Sequence, residues 1–302
     1  MASWNLKGRS GAAAASLGSL LRDRGGADLV LLQEASPRGV GKFSNAAGLD
    51  WVLHVRDVAP EMLSARGRSG KRGGRGGPRS VALAGRGEPA RCPVVFPDVP
   101  LPEKVMAASV DLDGVTTTVV TYHAPTGVQH KLKKPEQAVH LARWLASVEG
   151  PVVFGGDFNT PKLDPPDQRD IRTHWHSGDD KLKGLPGDDL LVGPEPTHGL
   201  QDVLRLYLAD RPDELDMIRA DRPDGPLTTS YCTDSAGKRK YRYDAIWVSS
   251  HFTVGSVEYV YDEAIEAGTD HALVLAALQV GRNLVVWRLV GSRSAPLGGH
   301  ER

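Results

Sequence analysis

Cysteine is scarce: only Cys92 and Cys232 occur in 302 residues, far apart in the chain. Two thiols so placed make neither a disulfide framework nor a thiolate zinc site, and they suit a reducing compartment. No apolar run reaches the roughly 18 residues of a membrane-spanning helix. The start, MASWNLKGRS, lacks the apolar core of a signal peptide, so the expected location is cytoplasmic. Excess charge is missing too. Lys+Arg and Asp+Glu both number 37, which leaves no global attraction toward nucleic acid or membrane and confines any such attraction to local patches.

What is present is enough apolar material, 40% of the chain, for one large domain with a substantial core. The expected domain spans 1–281, with 282–302 as a frayed tail. Short β-rich runs recur along it: LVLL at 29–32, WVLHV at 51–55, SVALA at 80–84, VMAASVDL at 105–112, VTTTVVTY at 115–122 and VVF at 152–154. AIWVS at 245–249, VGSVEYVY at 254–261 and ALVLAALQV at 272–280 complete the series. Helical patterns are fewer, near 12–25, at 135–150 with Pro135 early and Gly150 as the stop, and around GLQDVLRLYLAD. Asp113-Gly114 between two strand runs marks an antiparallel hairpin. The mixture predicts an α+β fold of mixed or antiparallel sheets covered by helices.

Three stretches interrupt this pattern. Residues 162–240 weaken into Asp, Pro, Gly and His with short helical pieces, a long excursion of the kind that carries substrate contacts. SARGRSGKRGGRGGPRS at 64–80 holds six Lys/Arg, six Gly and no acid; it reads either as a solvated loop or as a phosphate-tracking arm through Arg66, Arg68, Lys71, Arg72 and Arg75. TDSAGKRKYRYD at 233–244 places Lys238, Arg239, Lys240 and Arg242 just before Asp244, as a hairpin tip or as cations for phosphoryl charge. His174 and His176 form an H-x-H that lacks a third ligand in register.

The chemistry lies at strand ends. Glu34 follows LVLLQ, His123 follows TVVTY, and Asp157 and Asn159 follow VVFGG. In the other sense, Asp244 precedes AIWVS and Asp270-His271 precede ALVLAAL. Strands of opposite direction would gather all of these on one edge, together with Asn5 near the chain start. Gly155 and Gly156 are expected to let backbone approach a phosphate, and Asp157 and Asn159 to share a direction if the strand continues. Oxygen donors without thiolates suit Mg²⁺, Mn²⁺ or Ca²⁺. Hydrolysis of a phosphodiester needs a polarising cation, an activated water and donors for the developing charge, roles that Glu, Asp, Asn and His together can fill. A catalytic histidine needs a carboxylate to fix its tautomer. Asp244 is better placed for that than Asp270, which as the chain neighbour of His271 points to the opposite face.

WN at 4–5, LLQE at 31–34, YHAP at 122–125, GGDFNTP at 155–161, YRYDAIWVS at 241–249 and TDHALV at 269–274 stand in one order along the chain. In these motifs the sequence resembles the endonuclease/exonuclease/phosphatase superfamily, which includes pancreatic-deoxyribonuclease-like nucleases, apurinic endonucleases, sphingomyelinases and inositol-polyphosphate phosphatases. The resemblance runs from residue 4 to about 280 and implies a four-layer α/β sandwich of two face-to-face mixed sheets flanked by helices. It implies that Glu34 is the main Mg²⁺ ligand, supported by Asn5 and completed by Asp270. His123 would contact phosphate or the leaving group, and Asp157 and Asn159 would hold the attacking water and the scissile phosphate. His271, oriented by Asp244, would be general base or phosphate donor. A second carboxylate found in some nucleases has no clear counterpart, although Asp57 and Glu61 lie in the interval. The expected activity is Mg²⁺-dependent hydrolysis of nucleic-acid phosphodiesters, Mn²⁺ substituting. The alternatives are hydrolysis of a small phosphorylated metabolite or phospholipid headgroup, and a nucleic-acid-binding module without turnover.

Overall fold

The computed structural model describes residues 1–60, 79–96, 98–173, 187–233 and 239–281. The expected tail, most of the Gly/Arg segment with Arg66, Arg68, Lys71, Arg72 and Arg75, the H-x-H at 174–176, Glu61 and Lys238 lie outside the described residues.

Strands β1 (Ala2–Asn5), β2 (Leu29–Ala35), β3 (Trp51–His54) and β4 (Ser80–Gly85) come first, then β5 (Arg91–Val95), β6 (Val105–Leu112), β7 (Val115–His123) and β8 (Val152–Asp157). The short β9 (Gln201–Asp202), β10 (Tyr231–Cys232) and β11 (Lys240–Tyr241) follow, and β12 (Asp244–Val248), β13 (Phe252–Val260) and β14 (Leu273–Val280) end the series. Two six-stranded mixed sheets result, ordered β13-β14-β1-β2-β4-β3 and β5-β6-β7-β8-β12-β9, with β10 and β11 as a separate pair.

Alternation along each central strand sorts side chains into layers. Leu29 and Leu31 of β2 meet Val119, Val153 and Ile246 of the other sheet in the apolar seam between the sheets. Val30 and Leu32 face the opposite way, onto helices α1 (Gly11–Asp23) and α2 (Pro37–Ala47). On the far side, Val152, Phe154 and Trp247 pack against Ala138, Leu141, Ala142 and Leu145 of α3 (Lys133–Ser147). Helix, sheet, sheet, helix is the expected four-layer sandwich.

The strands read from the sequence are all present within a few residues, and β6–β7 is the hairpin expected at Asp113-Gly114, both in left-handed conformation with φ of 54° and 81°. Helix α3 ends at Ser147, three residues before the expected stop. Sequence reading missed α2. Its two internal glycines weaken the pattern, yet its ends are marked: Ser36 Oγ accepts from Gly39 N at 3.0 Å, Pro37 opens the helix, and Gly48 closes it at φ 70°. The 162–240 excursion holds α4 (Val203–Ala209) and α5 (Pro212–Asp221); α5 buries no residue and so shows no apolar stripe to read. Among the described residues no helix is long and apolar enough to cross a membrane, and both thiols are free.

His198 is buried in this core as a neutral ring. It stands edge-on to Phe154 and Trp247. Its Nε2 donates to the Leu191 carbonyl at 2.8 Å while its Nδ1 accepts from Leu200 N at 3.0 Å, a pattern only the neutral ring satisfies. Burial, partly opposed by the Leu191 carbonyl, pushes its pKa down to about 4. A folded pKa below the unfolded value means the folded state resists protonation, so stability falls as pH drops from about 6.5 toward 4, by on the order of 3 kcal/mol. Urea midpoints measured across that range should fall in the wild type and fall less steeply in His198→Gln, where His54 and His123 still contribute. Equal slopes in both proteins would contradict this assignment.

Candidate active site

Strand pairing assembles the site. β8 runs parallel to β7 and antiparallel to β12, and the registers place His123 opposite Asp157 and Asp157 opposite Asp244. Three adjacent strands therefore present three titratable groups in one row. β1 of the other sheet adds Asn5, whose Nδ2 donates to Asp157 Oδ2 at 2.9 Å. His271, just before β14, is held by its backbone: its carbonyl accepts from Trp4 Nε1 at 3.1 Å, and the next amide, Ala272 N, donates to Ser230 O at 2.8 Å. The opposed strand directions expected from the sequence thus do gather these groups on one edge.

His271 Nδ1 lies 2.8 Å from Asp244 Oδ2 and its Nε2 3.7 Å from Asp157 Oδ2. Burial works against its charge, but Asp244 and then Asp157 outweigh it and push its pKa up to about 10. It stands as an imidazolium at neutral pH, donating from Nδ1 to Asp244. Burial raises the pKa of Asp157, with His271 opposing and Asp244 adding to the rise. His123 behaves oppositely. Lys104 Nζ sits 3.0 Å from its Nδ1, and burial followed by Lys104 lowers its pKa well below the usual range. A lysine only donates, so Nδ1 accepts and the proton of the neutral ring is on Nε2, 3.8 Å from Glu34 Oε1 and 3.7 Å from Asp157 Oδ2. Two imidazoles of opposite protonation flank one carboxylate.

Glu34 occupies an irregularity in the β2–β4 pairing and has φ 45°. A left-handed glutamate costs on the order of 1 kcal/mol and persists where surrounding structure enforces it, often at functional sites. Its Oε2 pairs with Arg79 Nη1 at 2.5 Å. Asn159 is also left-handed, at φ 49°; its N–H donates to Asp157 Oδ1 and its Nδ2 to the Ala124 carbonyl, both at 2.9 Å. The chain turns here, so the continued extended geometry expected for Asp157 and Asn159 does not hold, although both remain at the same edge. Asp270 pairs with Lys7 Nζ at 2.8 Å, both side chains more than a third exposed, outside the close group of Asp157, Asp244 and His271.

The donors fit a hard divalent cation. Glu34, Asp157, Asp244, Asn5 and Asn159 offer oxygen without thiolate. The Asp244 Oδ1 atom is buried without a hydrogen-bond partner, close to the Asp157 carboxylate; His271, as an imidazolium, adds charge to that group and no ligand atom.

Three expectations are corrected by packing. A Cβ at Gly155 would lie 2.7 Å from Leu31 Cδ1, and one at Gly156 only 1.7 Å from the Tyr122 carbonyl oxygen. These glycines serve the close fit of strand and sheet rather than approach to a phosphate. Arg242, expected to meet nucleic acid, is 3% exposed. Its Nε meets Asp164 Oδ2 at 2.5 Å and its Nη2 meets Asp202 Oδ2 at 2.6 Å, while Arg205 also pairs with Asp164. Burial opposes its charge, but Asp164 and Asp202 hold its pKa well above the ordinary value. Arg239 and Lys240 of the same segment are exposed.

Sequence reasoning also missed Lys104 and Ser230. Lys104 directly precedes β6, so the rule that found Asp244 before its strand would have found it as well. Ser230 Oγ accepts from the amides of Tyr243 and Asp244, at 2.8 and 3.0 Å, and carries no sequence signal.

The chain matches the Endonuclease/Exonuclease/phosphatase family over residues 2–271. It belongs to that family. The family is one of metal-dependent phosphoesterases and nucleases, and the protein is an enzyme of that class. No curated protein matches the chain. Among solved structures, D. rerio TDP2 complexed with single strand DNA product is similar at TM-score 0.59 and 15% identity, with 92% of this chain and 98% of that one covered. An AP endonuclease from Archaeoglobus fulgidus gives 0.52 and 18%, also over 92% and 98%. The endonuclease domain of TRAS1, a telomere-specific non-LTR retrotransposon, gives 0.50 and 16%, over 94% and 98%.

Removing Arg242 leaves Asp164 and Asp202 buried with less compensation. Arg242→Met should therefore cost roughly 3–5 kcal/mol of stability, read as a lowered denaturation midpoint. An unchanged midpoint would show that the buried network is not needed.

Proposed function

We propose that the protein is a Mg²⁺-dependent phosphodiesterase that cleaves nucleic-acid phosphodiester bonds, with Mn²⁺ as a substitute ion. The observation that carries this reading is the buried row His123, Asp157, Asp244 with His271 clamped to Asp244 at 2.8 Å: two donors of different charge around a carboxylate whose pKa is raised. Nucleic acid as substrate is supported by structural neighbours, one complexed with a single strand DNA product and two that are endonucleases by name.

Glu34, Asn5 and Asp270 would hold the ion, Asp270 exchanging its exposed bond to Lys7. Bound there, the ion would neutralise phosphoryl charge and polarise the phosphorus–oxygen bonds. Asp157, with its raised pKa, accepts the proton of the attacking water. Two bonds hold its carboxylate in place, from the Asn5 carboxamide and the Asn159 amide. Asn159 orients the scissile phosphate. His271, charged and fixed by Asp244, donates from Nε2 to a phosphoryl oxygen; of the roles of base and donor, its charge favours donor. His123 donates a hydrogen bond from its Nε2–H to the leaving oxygen and keeps that proton, its tautomer set by Lys104.

An oligonucleotide assay with Mg²⁺, with and without chelator, tests this reading. Glu34→Ala and His271→Ala should each lower kcat by about 10²–10⁴-fold. Full activity in Glu34→Ala would sink the proposal. A small phosphoester as true substrate would show itself in a rate nearly flat with salt, whereas a polymeric substrate loses affinity steeply as salt rises.

A further inference from the structure

Lys162 lies three residues beyond Asn159 and is half-buried. Its ammonium stands 5.5 Å from the centroid of the Tyr243 ring. Tyr243 stacks on Tyr231 at 5.5 Å, and Tyr231 lies against the His271 ring at 4.9 Å. A continuous aromatic row thus runs from this cation to the candidate donor of the active site. The nearby Lys134 has its charge answered by Asp188 at 3.1 Å and by the carbonyls of Phe158 and Asn159. Among the described residues no carboxylate pairs with Lys162. Burial, reinforced by Lys134 and opposed by Asp188, pushes its pKa down to about 8. A half-buried cation over an aromatic face, with a second lysine nearby and no carboxylate paired directly to it, is a costly arrangement, and an anion arriving from solvent relieves it.

We propose that Lys162 is a specificity-determining residue that contacts a phosphate of the substrate strand other than the one being cut, so that the site favours polynucleotides over isolated phosphodiesters. This deepens the proposed function and rests on it. The ammonium supplies a point charge without base preference, which suits backbone contact rather than sequence readout. Its place over Tyr243 holds the flexible stem in one direction.

The test uses the full chain and two variants. Lys162→Met keeps the apolar stem over Tyr243 and removes the charge; Lys162→Arg restores the charge. A fluorescent single-stranded oligonucleotide, titrated by anisotropy across salt concentrations, should bind Lys162→Met several-fold more weakly. The log–log salt slope should be shallower by roughly 1. Lys162→Arg should recover both. In hydrolysis, kcat/KM on the oligonucleotide should drop far more in Lys162→Met than kcat/KM on bis(p-nitrophenyl) phosphate. Equal losses on the two substrates, or an unchanged salt slope, would overturn the assignment. A wild type that binds the oligonucleotide through Lys162 yet cleaves no phosphodiester would leave this contact standing and defeat the proposed activity instead. A wild type that does neither would defeat both.

Discussion

The structure turns on two carboxylates that share one level of one sheet. Asp157 and Asp244 are register partners on antiparallel strands, both nearly free of solvent. Like charges buried side by side are unstable unless a proton or cation intervenes. His271 supplies the first answer, bonding Asp244 and facing Asp157, and the two carboxylates raise its pKa above the ordinary value. Much of the surrounding construction is arranged to keep this imidazolium in place. Trp4 and Ser230 hold the backbone around it, Tyr231 lies against its ring, and Ser230 Oγ fixes the amides that lead into Asp244.

A second charged cluster anchors the loop side of the site. Asp164, Arg205, Arg242 and Asp202 tie the chain just after Asn159 to α4, β9 and the segment leading into β12. Buried ion pairs are poor sources of net stability but strongly disfavour rearrangement, because any alternative packing strands a charge. The excursion after β8, which carries Lys162, is thereby held to the sheet by electrostatics as well as by apolar packing through Leu191, Val192, Leu200 and Val203. The electrostatic share explains why its sequence looks unstructured: Asp, Pro and Arg are the materials of this cluster.

Legibility from sequence follows the same divide. Strands buried on both faces, such as β2 and β8, announce themselves by apolar runs, and polar residues at their ends gave Glu34, His123, Asp157, Asp244 and His271. Edge logic worked because strand direction converts position in sequence into position at one rim. It failed for Gly155, Gly156 and Arg242, whose roles depend on what lies across a layer. A glycine facing the Tyr122 carbonyl and a glycine facing a phosphate are the same letter. An arginine among lysines reads as surface until two aspartates, 40 and 78 residues away, close around it. α2 escaped because two glycines interrupt it, and stripe-free α5 because an exposed helix leaves little periodic trace.

The seam between the two sheets is mostly apolar, and apolar contact has no preferred direction; by itself it would permit sliding. The polar bonds across it do not. Asn5 to Asp157, Gln33 Nε2 to Thr121 Oγ1 at 3.2 Å and Thr121 Oγ1 to the Leu32 carbonyl at 3.3 Å act as keys in a slot. A shift of one residue, roughly 3.3 Å, would unseat all of them and carry Asn5 away from Asp157. The geometry of catalysis and the alignment of the two halves of the sandwich are therefore one mechanical coordinate, and the site reports whether the halves are in register.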